Sequence, residues 1–282
     1  MEKIKRKPRN YYLPFLFPYL VILFGFILLP MLFILGYSVI DTKTDDLPIY
    51  IFTVENYKRF FSTVLYIRCI GKSLYIALLS TIVCLIVCYP ISYFIAKRKP
   101  GTQALLVLLV TAPMWVNMLL RTLAIKQVLD GPLLQFVQWF NPDVNILIGN
   151  DCSVVFGMVY NYIPYMILPI YTILSKLDKR LIEASTDLGA KSKETFLKVV
   201  APLSLPGVMS GVTIVFLSSA TTITITKYLG EGRYFLIGNL IETEFITNSR
   251  WSFGSAISVI LLIFIMAIMW LLNRVEHKEE LA

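Results

Sequence analysis

Charged residues leave six long gaps in this chain, at 10–40, 73–96, 100–120, 152–175, 199–226 and 251–273. Each gap is long enough for a helix to cross a bilayer core, which takes about 20 apolar residues. The pattern predicts six transmembrane helices, at about 13–40, 71–96, 103–128, 152–175, 203–227 and 251–273. Polar residues do not recur at every second position inside the gaps, so barrel strands are excluded. Pro14, Pro18 and Pro30 fall in the first gap. They predict a kink or a preceding interfacial helix. That run is too long for a cleaved leader and lacks a small-residue cleavage site, so it reads as a retained span.

Between the fourth and fifth gaps lies a polar island, 176–202, KLDKRLIEASTDLGAKSKETFLKVVAP. Leu177, Leu181, Ala184 and Leu188 recur at helical spacing and give one apolar face. Gly189 is placed to end that helix in the left-handed conformation. Ser192 is placed to cap a second short helix carrying Phe196, Val199 and Val200, with Pro202 closing it. A helix–Gly–helix unit on the water side of a membrane domain is a docking surface. The segments FTVENYKRFF within 41–68 and GPLLQFVQWFNP at 131–142, bounded by Pro132 and Pro142, read as short amphipathic pieces at the membrane surface. No segment outside the spans is long enough for a separate domain, so 1–282 reads as a single transmembrane domain.

Charge orients the bundle. With the N-terminus inside, the inner segments hold 16 Lys and Arg and the outer segments 8. The positive-inside rule then puts both termini and the island in the cytoplasm. It also accounts for the net charge of +8 without nucleic acid. The composition, 57% hydrophobic, excludes an ordinary soluble domain.

Few residues suggest chemistry. Cys84 and Cys88 share a helix face, supply half a tetrahedral metal site, and read as packing residues. Cys69 and Cys152 both fall near the outer boundary, where a disulfide is conceivable. Gly71-Lys72-Ser73 ends like a phosphate-binding loop, but Tyr66 stands where the loop needs Gly. No nucleophile–base pair stands out, so the chain reads as a non-enzyme with no cofactor of its own. Gly207 and Gly211 form a GxxxG that packs closely within the chain or against a partner. Ser218, Ser219, Thr221, Thr222, Thr224 and Thr226 follow. Their hydroxyls either bond back to their own helix or line a wet pathway. Arg121 reads as a snorkelling anchor near the outer interface. The acids able to attract a cation are Asp130, Asp143, Asp151, Glu231, Glu242 and Glu244, all on the outer side. Trp115, Tyr160, Tyr162 and Tyr165 lie in spans, as cavity, core or interface residues. The pathway candidates are Trp115, Asn117, Tyr160, Tyr162, Ser219, Thr222 and Glu242.

At Glu183 a pattern emerges. Glu183-Ala184-Ser185, three residues, Gly189, nine residues, Val199, one residue, then Ala201-Pro202 resembles the EAA loop of ABC importer permeases. Ser185, Val199 and Ala201 are mild departures. PMWVNMLLRTLA at 113–124, YIPYMILPIYTILSKLDKRLIEASTDLGA at 162–190 and LIGNLIE at 236–242 resemble the spermidine/putrescine permeases, the first of two permease subunits. Leu123, Ile125 and Ser218 depart, where that family tends to carry aromatics and a Pro. The resemblance implies an all-α type I importer fold of six transmembrane helices with a cytoplasmic coupling helix at about 178–189. It implies a bacterial inner-membrane location and a heterodimer with a second permease. It also implies two ATPase subunits that bind ATP and Mg, and an extracytoplasmic binding protein. Leu181, Ala184 and Leu188 would pack on the ATPase, Glu183 and Asp187 would make polar contacts, and Gly189 would end the coupling helix. An importer of ferric iron, a phosphonate or a sulfonate is the alternative within the class. A secondary transporter would need intramembrane ionisable residues that the spans lack.

Overall fold

The structure is a computed structural model that describes residues 13–42, 50–141, 147–232 and 234–279. The basic run 1–9, Pro142 and Asp143 lie outside the described residues. The helices, in order, begin with α1 (Leu16–Ser38). A two-stranded antiparallel ribbon follows, β1 (Ile40–Thr42) on β2 (Tyr50–Phe52). Next come α2 (Glu55–Ser62), α3 (Val64–Ala96), α4 (Pro100–Thr111), α5 (Met118–Asp130) and α6 (Pro132–Phe140). The second half holds α7 (Asp151–Leu174), α8 (Lys179–Asp187) and α9 (Ser192–Thr221). It closes with α10 (Thr224–Leu229), α11 (Ile237–Glu242) and α12 (Trp251–Glu279). Among the described residues five helices are membrane-length and apolar: α1, α3, α7, α9 and the first part of α12. The count reaches six if the bent pair formed by 100–115 and 118–140 is one span.

The core lies where α3, α7 and α9 pack on one another. Ile76, Cys84 and Cys88 of α3 meet Met158, Met166 and Ile170 of α7 and Val215 of α9, all buried. The GxxxG faces inward. A Cβ on Gly207 would lie 2.8 Å from the Pro169 carbonyl, and one on Gly211 would lie 2.8 Å from the Met166 sulfur. The close approach is therefore within the chain, against α7. Cys84 and Cys88 are buried with sulfurs 3.6 Å apart, and the Cys88 thiol donates to the Ile163 carbonyl. Cys69 and Cys152 are unbonded, the first buried and the second exposed. A second core joins Phe60, Ile237, Phe253 and Ile257. The C-terminal half of α1, Leu29–Ser38, packs on α12, while the rest of α1 is exposed.

Two prolines expected to disrupt helices do not. The island's second helix runs on through Pro202 into α9, so the expected closure there is overturned. The reason is a π-turn over 196–200, in which the Ala201 N–H donates to the Phe196 carbonyl one position early. The hydrogen-bond register shifts just before the residue that has no N–H to give. The first span repeats the device. Leu29 N–H donates to the Phe24 carbonyl across a π-turn, and Pro30 follows.

The expected straight span 103–128 is instead broken. A 3-10 turn over Ala112–Trp115 leads to extended backbone at Val116, and the chain bends by 93° before α5. The expected span 203–227 breaks too. Thr222 is extended (φ −67°, ψ 135°) between α9 and α10.

Candidate functional site

The island's first helix is built as a projection. Asp178 caps it, its side chain accepting from Arg180 N–H at 3.0 Å. Its far end is a complete Schellman closure. Gly189 N–H donates to Thr186 O at 2.9 Å and Ala190 N–H to Ser185 O at 3.1 Å. That closure needs a left-handed residue, and Gly189 has φ +82°. Ile182 and Ser185 face the bundle, and the Ser185 hydroxyl donates to Thr195 Oγ1 at 3.0 Å. Leu181, Glu183, Ala184, Asp187, Leu188 and Gly189 all face outward. Leu188 is 89% exposed at the tip. Glu183 also lines a cavity of about 460 Å³ with Lys97, Arg98 and Gln103. Aromatic packing fixes the base of the projection, with Phe196 edge-on to Tyr89 and Tyr93.

A polar seam runs where α7 meets the break between α9 and α10. Asn117, a pathway candidate, caps α5 by accepting from Leu119 N–H at 2.8 Å. Trp115 beside it is 78% exposed. Tyr162 is buried on α7 and its hydroxyl donates to the Ser218 carbonyl at 3.1 Å. Ser219 is buried with its hydroxyl unpartnered. At the Thr222 break, Thr226 Oγ1 donates to the Ile223 carbonyl at 2.9 Å and bonds Asn239 Oδ1 at 2.6 Å. The Ile223 carbonyl also accepts from Lys227 N–H at 3.0 Å, so the hydroxyl adds a second bond at the start of α10 and ties it to α11. The hydroxyl series divides accordingly: Thr221 bonds back to Leu217, whereas Ser219 points into the seam without a partner.

Arg121 is not a snorkelling anchor. The 93° bend carries it inward, where it is 9% exposed. Its neighbour Thr122 meets Asn161 of α7 at 3.5 Å. Tyr160, another candidate, shares with Arg121 an apolar cavity of about 830 Å³. Asn161 and Thr122 were not among the sequence candidates. The signal available for Asn161 was a lone amide inside the uncharged run 152–175.

Three of the candidate acids are paired with lysines. Glu242 Oε1 lies 3.0 Å from Lys227 Nζ, Glu231 lies 3.3 Å from Lys126, and Asp151 lies 3.6 Å from Lys72. Asp151 also accepts from the Tyr234 hydroxyl, and Lys72 sits 3.9 Å from the centre of the Tyr234 ring. Burial, followed by the hydrogen bond and charge of Asp151, pushes the Tyr234 hydroxyl well above the usual phenol range. Glu242 lines its own small cavity with Asn239 and Tyr234, apart from the Tyr162–Ser219 seam. Glu244 is buried with Oε2 unpartnered.

A bundle of membrane-length helices, two of them broken and one of these breaks beside a polar seam, with a capped helix projecting from one end, is the architecture of a membrane transport subunit. It superposes on a chain of a bacterial ABC transporter involved in the import of the acidic polysaccharide alginate. The TM-score is 0.78 over 94% of both chains at 12% identity, so the shared feature is the type I importer permease fold. The chain belongs to the family described as binding-protein-dependent transport system inner membrane component, which matches residues 88–280. It is similar to the spermidine/putrescine transport system permease protein PotB of Escherichia coli, 33% identical over 261 residues, covering 90% of this chain and 94% of that protein. The PotB of Haemophilus influenzae is 32% identical over 288 residues, covering 99% of each. A PotB homolog of Mycoplasma pneumoniae is 32% identical over 55% of this chain.

Proposed function

We propose that this chain is the permease subunit of an ATP-driven importer for polyamines of the spermidine and putrescine type. The observation that carries this reading is the near full-length similarity to PotB proteins. The importer pairs this chain with a second permease, two ATPase subunits that bind ATP and Mg, and an extracytoplasmic binding protein. Six spans cross a bacterial inner membrane, with both termini and α8 in the cytoplasm. The excess of Lys and Arg on that side supports the orientation.

The chemistry of the described residues suits this role. The outward face of α8 offers Leu181, Ala184 and Leu188 for burial and Glu183 and Asp187 for polar contact, as a helix seated in an ATPase groove would. Closure of the ATPases on ATP then moves α8 as a lever, and the bundle switches between outward and inward access as a rigid body. On the outer side Glu242 holds a lysine ammonium, the same chemical group a polyamine presents. Lys227 thus occupies a cation position that substrate can take over by exchange. The experiment is ATP hydrolysis by the reconstituted complex with its binding protein. Spermidine or putrescine stimulates it. Stimulation by a phosphonate or sulfonate, with none by polyamines, overturns the assignment.

A further inference from the structure

The buried guanidinium of Arg121 has no use in anything described so far. Nε and Nη1 are both buried without a hydrogen-bond partner, and no described carboxylate pairs with them. The cavity beside them is otherwise apolar, walled by Leu109, Pro113, Leu120, Ala124, Phe156 and Tyr160. Phe156 and Tyr160 are half exposed along it, so this wall lies open on the isolated chain. Burying two of a guanidinium's three nitrogens without an acceptor is unfavourable. Among the described residues none supplies the missing acceptor, and the open wall beside Arg121 is where a partner's anion would enter.

Depth narrows its source. Thr122 meets Asn161, ten residues from the start of α7. At about 1.5 Å per residue, that is about 15 Å along the helix, close to halfway through a bilayer core of about 30 Å. A lipid phosphate stays at the interface and does not reach this level. The proposed substrate is a cation and brings no negative charge. What remains is a carboxylate on a neighbouring membrane helix. We propose that Arg121 forms an ion pair with an Asp or Glu of the second permease subunit, seated in the Leu109–Tyr160 cavity. The planar fork of arginine suits bidentate capture of a carboxylate. The pair also gives the seam a function. While substrate is absent, Arg121 neutralises the partner's carboxylate. An ammonium entering beside Tyr162 and Ser219 competes with it for the same oxygens. This inference rests on the proposed two-permease importer.

Two measurements test it. The first needs no substrate. In a Cys152→Ser background, Arg121→Cys is combined with cysteine at each Asp and Glu within the second subunit's spans, and cross-linking by a bismaleimide, which spans the Cα separation that an arginine–carboxylate pair leaves and a disulfide cannot, is read on a gel. One position should cross-link. The second is charge exchange in the reconstituted complex. Arg121→Gln should lower transport roughly tenfold or more, since it leaves the partner's carboxylate unpaired. Arg121→Glu should abolish transport, and changing the cross-linking acid to Arg should restore a substantial part of it. Wild-type transport by Arg121→Gln, or no rescue of Arg121→Glu at any acid, overturns the pair. If Arg121→Gln does not assemble, the charge exchange decides alone. The polyamine reading fails separately. A complex that cross-links at Arg121 but ignores spermidine keeps the ion pair and loses the substrate. One that responds to spermidine without cross-link or rescue does the reverse.

Discussion

Lys227 Nζ and Glu242 Oε1 lie 3.0 Å apart, joining α10 to the end of α11 across the outer cavity that Asn239 and Tyr234 also line. The lysine side chain is more than half exposed, so the pair contributes little to folding. Under the proposed function, Glu242 on that cavity is an acid whose lysine another ammonium would displace.

Glu242→Gln should therefore leave the melting temperature of the detergent-solubilised chain unchanged while raising the substrate concentration needed for half-maximal transport. The effect should shrink at high salt, because exposed charges are screened. Unchanged half-saturation at low salt would remove Glu242 from the pathway.

Packing at the GxxxG gives a graded prediction for stability. A Cβ at Gly207 would press 2.8 Å from the Pro169 carbonyl, which is backbone and has little freedom to move. At Gly211 the nearest atom is the Met166 sulfur, the flexible end of a side chain. Gly207→Ala should cost about 1–3 kcal/mol as an overpacked core change, and Gly211→Ala less. Gly71→Ala, with nothing within 4 Å, should be neutral or slightly stabilising inside a helix. Thermal unfolding of the three variants ranks them, and equal losses at 207 and 71 would contradict the packing.

Much of this organisation was legible in the chain, and the reasons differ from place to place. The apolar gaps marked the membrane helices because hydrophobicity is read one residue at a time. Gly189 was legible because few residues other than glycine tolerate the left-handed C-terminal position. The run through Pro202 was not, since a π-turn shifts hydrogen-bond register without altering composition. The break at Val116–Asn117 gave one local clue, an Asn able to cap a helix, inside a run that otherwise reads as continuous. Misplacing Arg121 followed from that, because its depth depends on a 93° bend and not on its distance along the sequence. The contacts of Tyr162 with Ser218, and of Asn161 with Thr122, join residues far apart in sequence, where periodicity says nothing.

Coupling should fail in a way that the backbone at Gly189 specifies. A Cβ there would meet nothing within 4 Å, so the penalty comes only from φ +82°. Gly189→Val should lose roughly 1 kcal/mol or more at that cap, distort the end of α8, and weaken ATPase association. Gly189→Asn should retain it, because Asn tolerates the left-handed region. Glu183→Ala and Leu188→Ser, both outward-facing, should loosen the ATPase without shifting the melting temperature of the isolated subunit. Co-purification of the ATPase measures all four. Full association and transport in Gly189→Val and Leu188→Ser would reduce the projection to a solvated loop.

Orientation is testable with a cysteine the chain already has. Cys69, Cys84 and Cys88 are buried, and Cys152 is exposed at the first turn of α7. The proposed cytoplasmic placement of α8 would put the other end of α7, and Cys152 with it, on the outer face. A membrane-impermeant maleimide added to intact cells should label the chain, and Cys152→Ser should abolish that labelling. Thr102 is exposed at the start of α4, beside the Lys97–Lys99 cluster that the charge rule places inside. Thr102→Cys in the Cys152→Ser background should stay unlabelled until the membrane is permeabilised. The docking helix needs this arrangement, because α8 can receive an ATPase only from the compartment that holds ATP. Labelling of Thr102→Cys in intact cells, with Cys152 protected, would put α8 outside and sink the coupling mechanism together with the topology.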